Sequence, residues 1–303
     1  MSLAWLGRPA VVLLVVGGVV SCGADPSQET TGPYRVASRS VTFVDDSRPT
    51  PACGAAPAQD TRTIVTDIWY PAAGDPDAAP TGNAPAADGP FPVIVFNHGQ
   101  QGEPQQYGPS FETWARAGYV VAAPRHPLTV RGGPGCHFVD DIQGETGDVA
   151  FVISSLDDEL SDLADVDHLA VAGHSSGAIV AYAVGFNTCC HDDRVDAVMV
   201  EGLINDFPLD GDYAADLKGT PVMFMHGDAD PTPIADIHAA FDAAEPPKYL
   251  LSIPGGDHSN AYRSGPSERQ VATTGLAFFD LHLKDRAEAL NTLQRAQGVE
   301  AIP

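Results

Sequence analysis

The segment Gly173-His174-Ser175-Ser176-Gly177 centres a serine between two glycines, directly after the apolar run 169–172 and directly before a helix-forming stretch, 178–186. A strand that feeds a helix through so short a turn holds the serine hydroxyl clear of both elements. Glycines two residues to either side are needed because side chains there would collide with neighbouring backbone. A serine hydroxyl is a weak nucleophile at neutral pH, so it needs a histidine to take its proton and an acid to orient that histidine. Two later loops offer both. The apolar run 221–225 ends in His226-Gly227-Asp228-Ala229-Asp230, and the run 249–253 ends in Gly255-Gly256-Asp257-His258. The chemistry this points to is acyl transfer, with Ser175 as nucleophile, His258 as base and Asp230 as orienting acid. Asp228 and Glu201 are rival acids, the second because it closes the apolar run 197–200.

Three residues so far apart in sequence meet only if their strands lie side by side. The β-branched runs 41–44 and 63–70 have no helix between them and are expected to pair antiparallel. From 92–96 onward, apolar runs alternate with helical stretches: 119–123, 169–172, 197–200, 221–225 and 249–253. Val149, Val152, Leu156, Leu160 and Leu163 recur at helical spacing between two of them. Such alternation predicts an α/β fold with a mostly parallel eight-stranded sheet and helices on both faces, closed by a helix over 271–284. The candidate residues then fall at the carboxyl ends of parallel strands, where ligands bind in such sheets.

The segments Asp67-Ile-Trp-Tyr-Pro71, Val95-Phe-Asn-His-Gly99, Gly118-Tyr-Val-Val-Ala-Ala-Pro124, Gly173-His-Ser-Ser-Gly177, Gly227-Asp-Ala-Asp230 and Gly255-Gly-Asp-His-Ser259 together resemble α/β-hydrolases. Within them they are similar to secreted dienelactone-hydrolase-like, platelet-activating-factor-acetylhydrolase-like and cutinase- or polyester-hydrolase-like serine esterases. The resemblance implies a carboxylic-ester hydrolase without cofactor or metal. It also implies an oxyanion site from the backbone N–H groups of Gln100 and Ser176, with His98 hydrogen-bonded beneath that loop. G-x-x-D spacing favours Asp230 as the acid. Acetylhydrolase-like and chlorophyllase-like relatives place theirs after the strand that Glu201 ends. His174 reads as packing support, and Asp257 as a solvated loop residue. A catalytically lapsed binding protein on the same fold and a polyester hydrolase are the alternatives. Gln100 and Ser176 stand where aromatic-polymer hydrolases usually carry an aromatic and a methionine, so stacking would fall to residues such as Tyr107, Phe138 or Tyr262. Acyl-chain length and the choice among small, lipid and polymeric esters are not encoded in these motifs.

The chain has 303 residues, 44% hydrophobic, with 40 acidic against 16 basic side chains and a formal charge of -24. Such acidity repels phosphate backbones and excludes nucleic acid as a partner class. The expected species is a monomer acting on an ester substrate. Residues 10–20 form a short apolar run ending in Val19-Val20-Ser21-Cys22, which resembles a bacterial lipobox. Residues 1–21 are therefore expected to be a lipoprotein signal peptide, Cys22 a lipidated anchor on the cell envelope, 22–34 a flexible tether and 35–303 the catalytic domain. In an exported protein the remaining cysteines favour disulfides. The antiparallel neighbour of strand 119–123 brings the loops of Cys53 and Cys136 to one rim, predicting that pair. Cys189 and Cys190 are left as a vicinal pair, reduced or bonded. His137 with Asp140 and Asp141 offers too few ligands for a metal site.

Overall fold

The computed structural model describes residues 33–203, 209–213, 219–232 and 234–303. The expected signal segment 1–21, the expected anchor Cys22 and all but the end of the expected tether 22–34 lie outside the described residues. Ten strands form one sheet among them: β1 (Arg35–Asp45), β2 (Arg62–Ala72), β3 (Thr81–Gly82), β4 (Phe91–Asn97), β5 (Val120–Arg125), β6 (Ala164–His174), β7 (Ala197–Glu201), β8 (Val222–Gly227), β9 (Lys248–Ile253) and β10 (Val299–Ile302). Their order across the sheet is β10-β9-β8-β7-β6-β4-β5-β2-β1-β3. Strands β5, β4, β6, β7, β8 and β9 run parallel, while β1 with β2, β2 with β5 and β9 with β10 are antiparallel.

The sheet therefore has two strands more than the eight expected. Thr81–Gly82 is only a two-residue edge pairing beside Ala37 and Ser38. Val299-Glu-Ala-Ile302 alternates exposure at the far edge, so no continuous apolar run announces it. The closing helix is longer than its apolar half suggested, and two further elements follow it. The helices are α1 (Gly108–Arg116), α2 (Ile142–Leu160), α3 (Ser176–Phe186), α4 (Ile234–Ala243), α5 (Asn260–Arg263), α6 (Gly265–Leu283) and α7 (Ala289–Arg295).

Strand β4 shows why the sheet needs helices on both sides. Its Val93 and Val95 belong to one buried cluster with Val149, Val152 and Leu156 of α2 and Ile179 and Val180 of α3. Its Ile94 and Phe96 belong to a second, with Phe111 and Trp114 of α1 and Val271, Phe278 and Phe279 of α6. Each such side chain contributes roughly 1.5–3 kcal/mol when fully buried, so neither face can stay wet. Leu163, read as the end of the α2 stripe, lies beyond the helix and is buried beside the start of β6.

A buried polar layer joins strand ends beneath the loops. Arg62 of β2 bonds Asp148 through Nε at 2.5 Å and Asp141 through Nη2 at 2.7 Å. His126 lies 3.1 Å from Asp148 Oδ2 and 3.1 Å from Asn97 Oδ1. Asn97 Nδ2 in turn donates to the Ala172 carbonyl at 3.0 Å. Burial pushes the Asp148 carboxyl up, but hydrogen bonds from His126 and Arg62 outweigh it and hold it low. Desolvation offsets much of what such ion pairs contribute, so their main effect is to fix geometry. The Asp141 carboxylate, three residues from Phe138 and next to Asp140 in sequence, is committed to Arg62.

Candidate active site

Strand β6 delivers Ser175 to the turn before α3 with φ 57° and ψ −121°. This is the left-handed region that non-glycine residues rarely occupy, and such strain persists only where the surroundings over-determine it. The surroundings are visible. The Ser175 N–H donates to the Glu201 carbonyl at 2.9 Å. A Cβ at Gly173 would overlap the Gly177 carbonyl, and one at Gly177 would overlap the Asn97 carbonyl. The turn is packed backbone to backbone, and only glycine fits on either side of the serine.

His258 reaches Ser175 from the loop after β9. Its Nε2 lies 2.8 Å from Ser175 Oγ, and its Nδ1 lies 2.7 Å from Asp230 Oδ2. The Asp230 side chain is fully buried, while that of His258 is 26% exposed, open enough for a substrate to approach. The other Asp230 oxygen accepts the Thr232 N–H at 2.8 Å, which fixes the carboxylate plane. The rival acids are engaged elsewhere. Asp228 Oδ1 accepts the Gly255 N–H at 2.6 Å. Glu201 is buried behind the nucleophile, and among the described residues its Oε2 has no hydrogen-bond partner. Burial and the nearby Glu268 carboxyl push the Glu201 carboxyl well above its usual range.

The segment after β4 crosses in front of the serine. A Cβ on Gly99 would stand 3.1 Å from Ser175 Cβ. The Gly99 carbonyl accepts the Gly102 N–H at 2.8 Å and lies 2.9 Å from His98 Nδ1. In a trans peptide the following N–H points the opposite way, so the Gln100 N–H is turned away from His98 Nδ1. Neither the Gln100 nor the Ser176 N–H has a backbone acceptor among the described residues. His98 is neutral: burial and the His126 charge push it down to about 3. The same loop is held from outside, because Gln100 Nε2 donates to the Cys136 carbonyl at 2.8 Å and the Gln101 N–H to the Thr129 carbonyl at 2.9 Å. Cys136 is bonded to Cys53, and Cys189 to Cys190.

Other residues take different places from those read in sequence. His174 is more than packing support: its Nε2 lies 2.6 Å from the His258 carbonyl and its Nδ1 2.9 Å from Tyr107 Oη. Arg263 of α5 joins them, with Nη2 3.2 Å from Tyr107 Oη. Neither Tyr107 nor Arg263 sits in a recognisable motif, and only the fold brings them to the elbow. Tyr107 and Tyr262 are 1% and 0% exposed, so they cannot stack on a ligand. Asp257 accepts the Ser259 and Asn260 N–H groups at 2.9 and 2.6 Å and so starts α5.

The arrangement can do one kind of chemistry well. A hydroxyl next to an imidazole that is itself aligned by a buried carboxylate suits attack on a carbonyl carbon. The chlorophyllase family profile matches residues 76–225. No curated protein sequence matches the chain. A solved ferulic acid esterase from Streptomyces cinnamoneus superposes with a TM-score of 0.66 at 20% identity, over 92% of this chain and 98% of that one. Sheet order, elbow and the structural match agree, and the chain has the α/β-hydrolase fold.

Proposed function

We propose that the protein is a serine carboxylic-ester hydrolase working through an acyl-enzyme. Ser175 Oγ attacks the ester carbonyl carbon while its proton passes to His258 Nε2. The negative oxygen that forms is held by the Gln100 and Ser176 N–H groups, each of which typically contributes a few kcal/mol of barrier lowering. The ester C–O bond breaks, and the alcohol leaves with the proton from His258. Water then attacks the acyl carbon as His258 takes its proton, the bond from that carbon to Ser175 Oγ breaks, and His258 passes the proton to Oγ, releasing the acid and free Ser175. Asp230 keeps the imidazole in the tautomer that accepts at Nε2. No cofactor or metal enters this reading.

The observation that carries it is the continuous line from Ser175 Oγ through His258 to Asp230, at 2.8 and 2.7 Å. A fluorophosphonate should label wild-type protein at Ser175. Ser175→Ala should lose labelling and more than about 99% of kcat/KM with its melting temperature kept. An unlabelled, inactive wild type would favour a lapsed binding protein instead. Burial of Tyr107 and Tyr262 weighs against an aromatic polymer as the main substrate. p-Nitrophenyl esters of rising chain length, a ferulate ester and a polyester film form the deciding screen.

The protein is further proposed to be exported, with residues 1–21 removed, Cys22 lipidated, 22–34 as tether and 35–303 as the catalytic domain, monomeric at the cell envelope. In a bacterial host the wild type should partition into detergent phase and Cys22→Ala should not. Recovery of both in the aqueous phase would leave only an ordinary signal peptide.

A further inference from the structure

The residue before the nucleophile carries a fixed hydrogen-bond pattern that the proposed chemistry does not use. His174 is 1% exposed and lies against Tyr107, Tyr262 and His258, with ring centroids 5.7, 4.9 and 5.1 Å away. Its Nδ1 faces Tyr107 Oη at 2.9 Å and Arg263 Nη2 at 3.4 Å. A guanidinium can only donate. Nδ1 is therefore an acceptor, the ring proton sits on Nε2, and that N–H donates to the His258 carbonyl at 2.6 Å. The Tyr107 hydroxyl, having donated to Nδ1, accepts from Arg263 Nη2 at 3.2 Å and stands 3.4 Å from the Gly99 N–H.

We infer that His174 is a positioning residue of the site: as a neutral Nε2–H imidazole it ties the main chain of His258 to the elbow and, through Tyr107, to the Gly99 loop. The inference deepens the esterase reading and rests on it. The start of the His258 loop is tied to the turn after β8, through the Gly255 N–H to Asp228 at 2.6 Å and the Ala229 N–H to the Gly256 carbonyl at 3.0 Å, while the His258 side chain bonds Ser175 and Asp230. The His258 carbonyl is the point of this loop that His174 of the elbow grips. A loose carbonyl would let the imidazole drift from Ser175 Oγ, and misplacement on the order of 1 Å can cost about a hundredfold in rate. Burial holds the His174 ring well below the usual histidine range, and the facing Arg263 and His258 reinforce this, so the relay is not broken by mild acid. The other ionisable groups packed against the ring, Tyr107 and Tyr262, are themselves pushed up by burial and stay protonated.

Two variants of similar volume test the donor apart from the packing. His174→Gln keeps an N–H near the position of Nε2, and His174→Met fills the space without one. His174→Met is expected to lower kcat about ten- to a hundredfold with KM changed less than about threefold, and His174→Gln to recover most of that loss. Equal kcat in both variants, or a change confined to KM, would overturn the inference. Nitrogen-15 spectra of the wild-type ring give a readout independent of catalysis. A neutral ring protonated at Nε2 from about pH 5 to 8 is expected, whereas a titrating ring or a proton on Nδ1 would overturn it. Absence of fluorophosphonate labelling in the wild type would instead sink the esterase reading, with the tautomer result still standing.

Discussion

The Ser175 N–H and the Glu201 carbonyl are joined at 2.9 Å, so the strained elbow is fastened to the end of the neighbouring strand β7 through main chain alone. The Glu201 side chain is thus brought to the back of the nucleophile with no part in the line from Ser175 to Asp230. Its place at the end of a strand is what made it a rival in the sequence, and in the fold that place serves the elbow through the backbone.

Replacing each acid in turn separates the roles. Asp230→Asn should lower kcat by about 10³–10⁴-fold, because the imidazole loses its orienting acceptor and favours the wrong tautomer. Glu201→Gln and Asp228→Asn should each retain activity within about tenfold, since neither carboxyl touches His258. Steady-state kinetics on one p-nitrophenyl ester suffice. A larger loss at Glu201 than at Asp230 would reverse the assignment.

Glu145 makes stability depend on pH. It is buried with one oxygen accepting from Thr129 Oγ1 at 2.5 Å and the other without a partner, and burial pushes its pKa up to about 7. A carboxyl that binds its proton more tightly folded than unfolded loses stability as pH rises from the unfolded value through the folded one. The window here runs from about 4.5 to about 7. Glu145→Gln mimics the protonated acid, so its melting temperature relative to wild type should climb across that window and level off above it. A difference that stays flat from pH 4.5 to 8 would contradict the buried-acid account.

The Cys53–Cys136 bond closes a sequence separation of 83 residues. In the chain-entropy model this amounts to about 4 kcal/mol, as an upper figure. The Cys136 carbonyl also receives Gln100 Nε2, so the bond braces the loop that carries the N–H proposed for the oxyanion site. Replacing both cysteines by serine should lower the melting temperature by several degrees and reduce kcat severalfold more than KM changes. Non-reducing peptide mapping gives the pairing directly; Cys53 found linked to Cys189 or Cys190 would refute it.

The sequence by itself determined the parallel sheet, the elbow and the order in which serine, acid and histidine follow one another. Each of those is written locally: continuous apolar runs mark strands buried on both faces, and Gly173 and Gly177 mark a turn where no side chain fits. Edge strands carry no such run, which is why Thr81–Gly82 and Val299–Ile302 emerge only from pairing with neighbours. The choice of Asp230 over Asp228 could be guessed from spacing, but which carboxylate points at an imidazole depends on loop conformation. Here the turn after β8 sends Asp228 to Gly255 and Asp230 to His258. The tertiary structure alone decided the environment of the site. Arg62 with Asp148, Asn97 with His126, and Arg263 and Tyr107 with His174 lie far apart along the chain and meet through packing. No local pattern encodes a hydrogen bond whose two ends are placed by different layers of the fold.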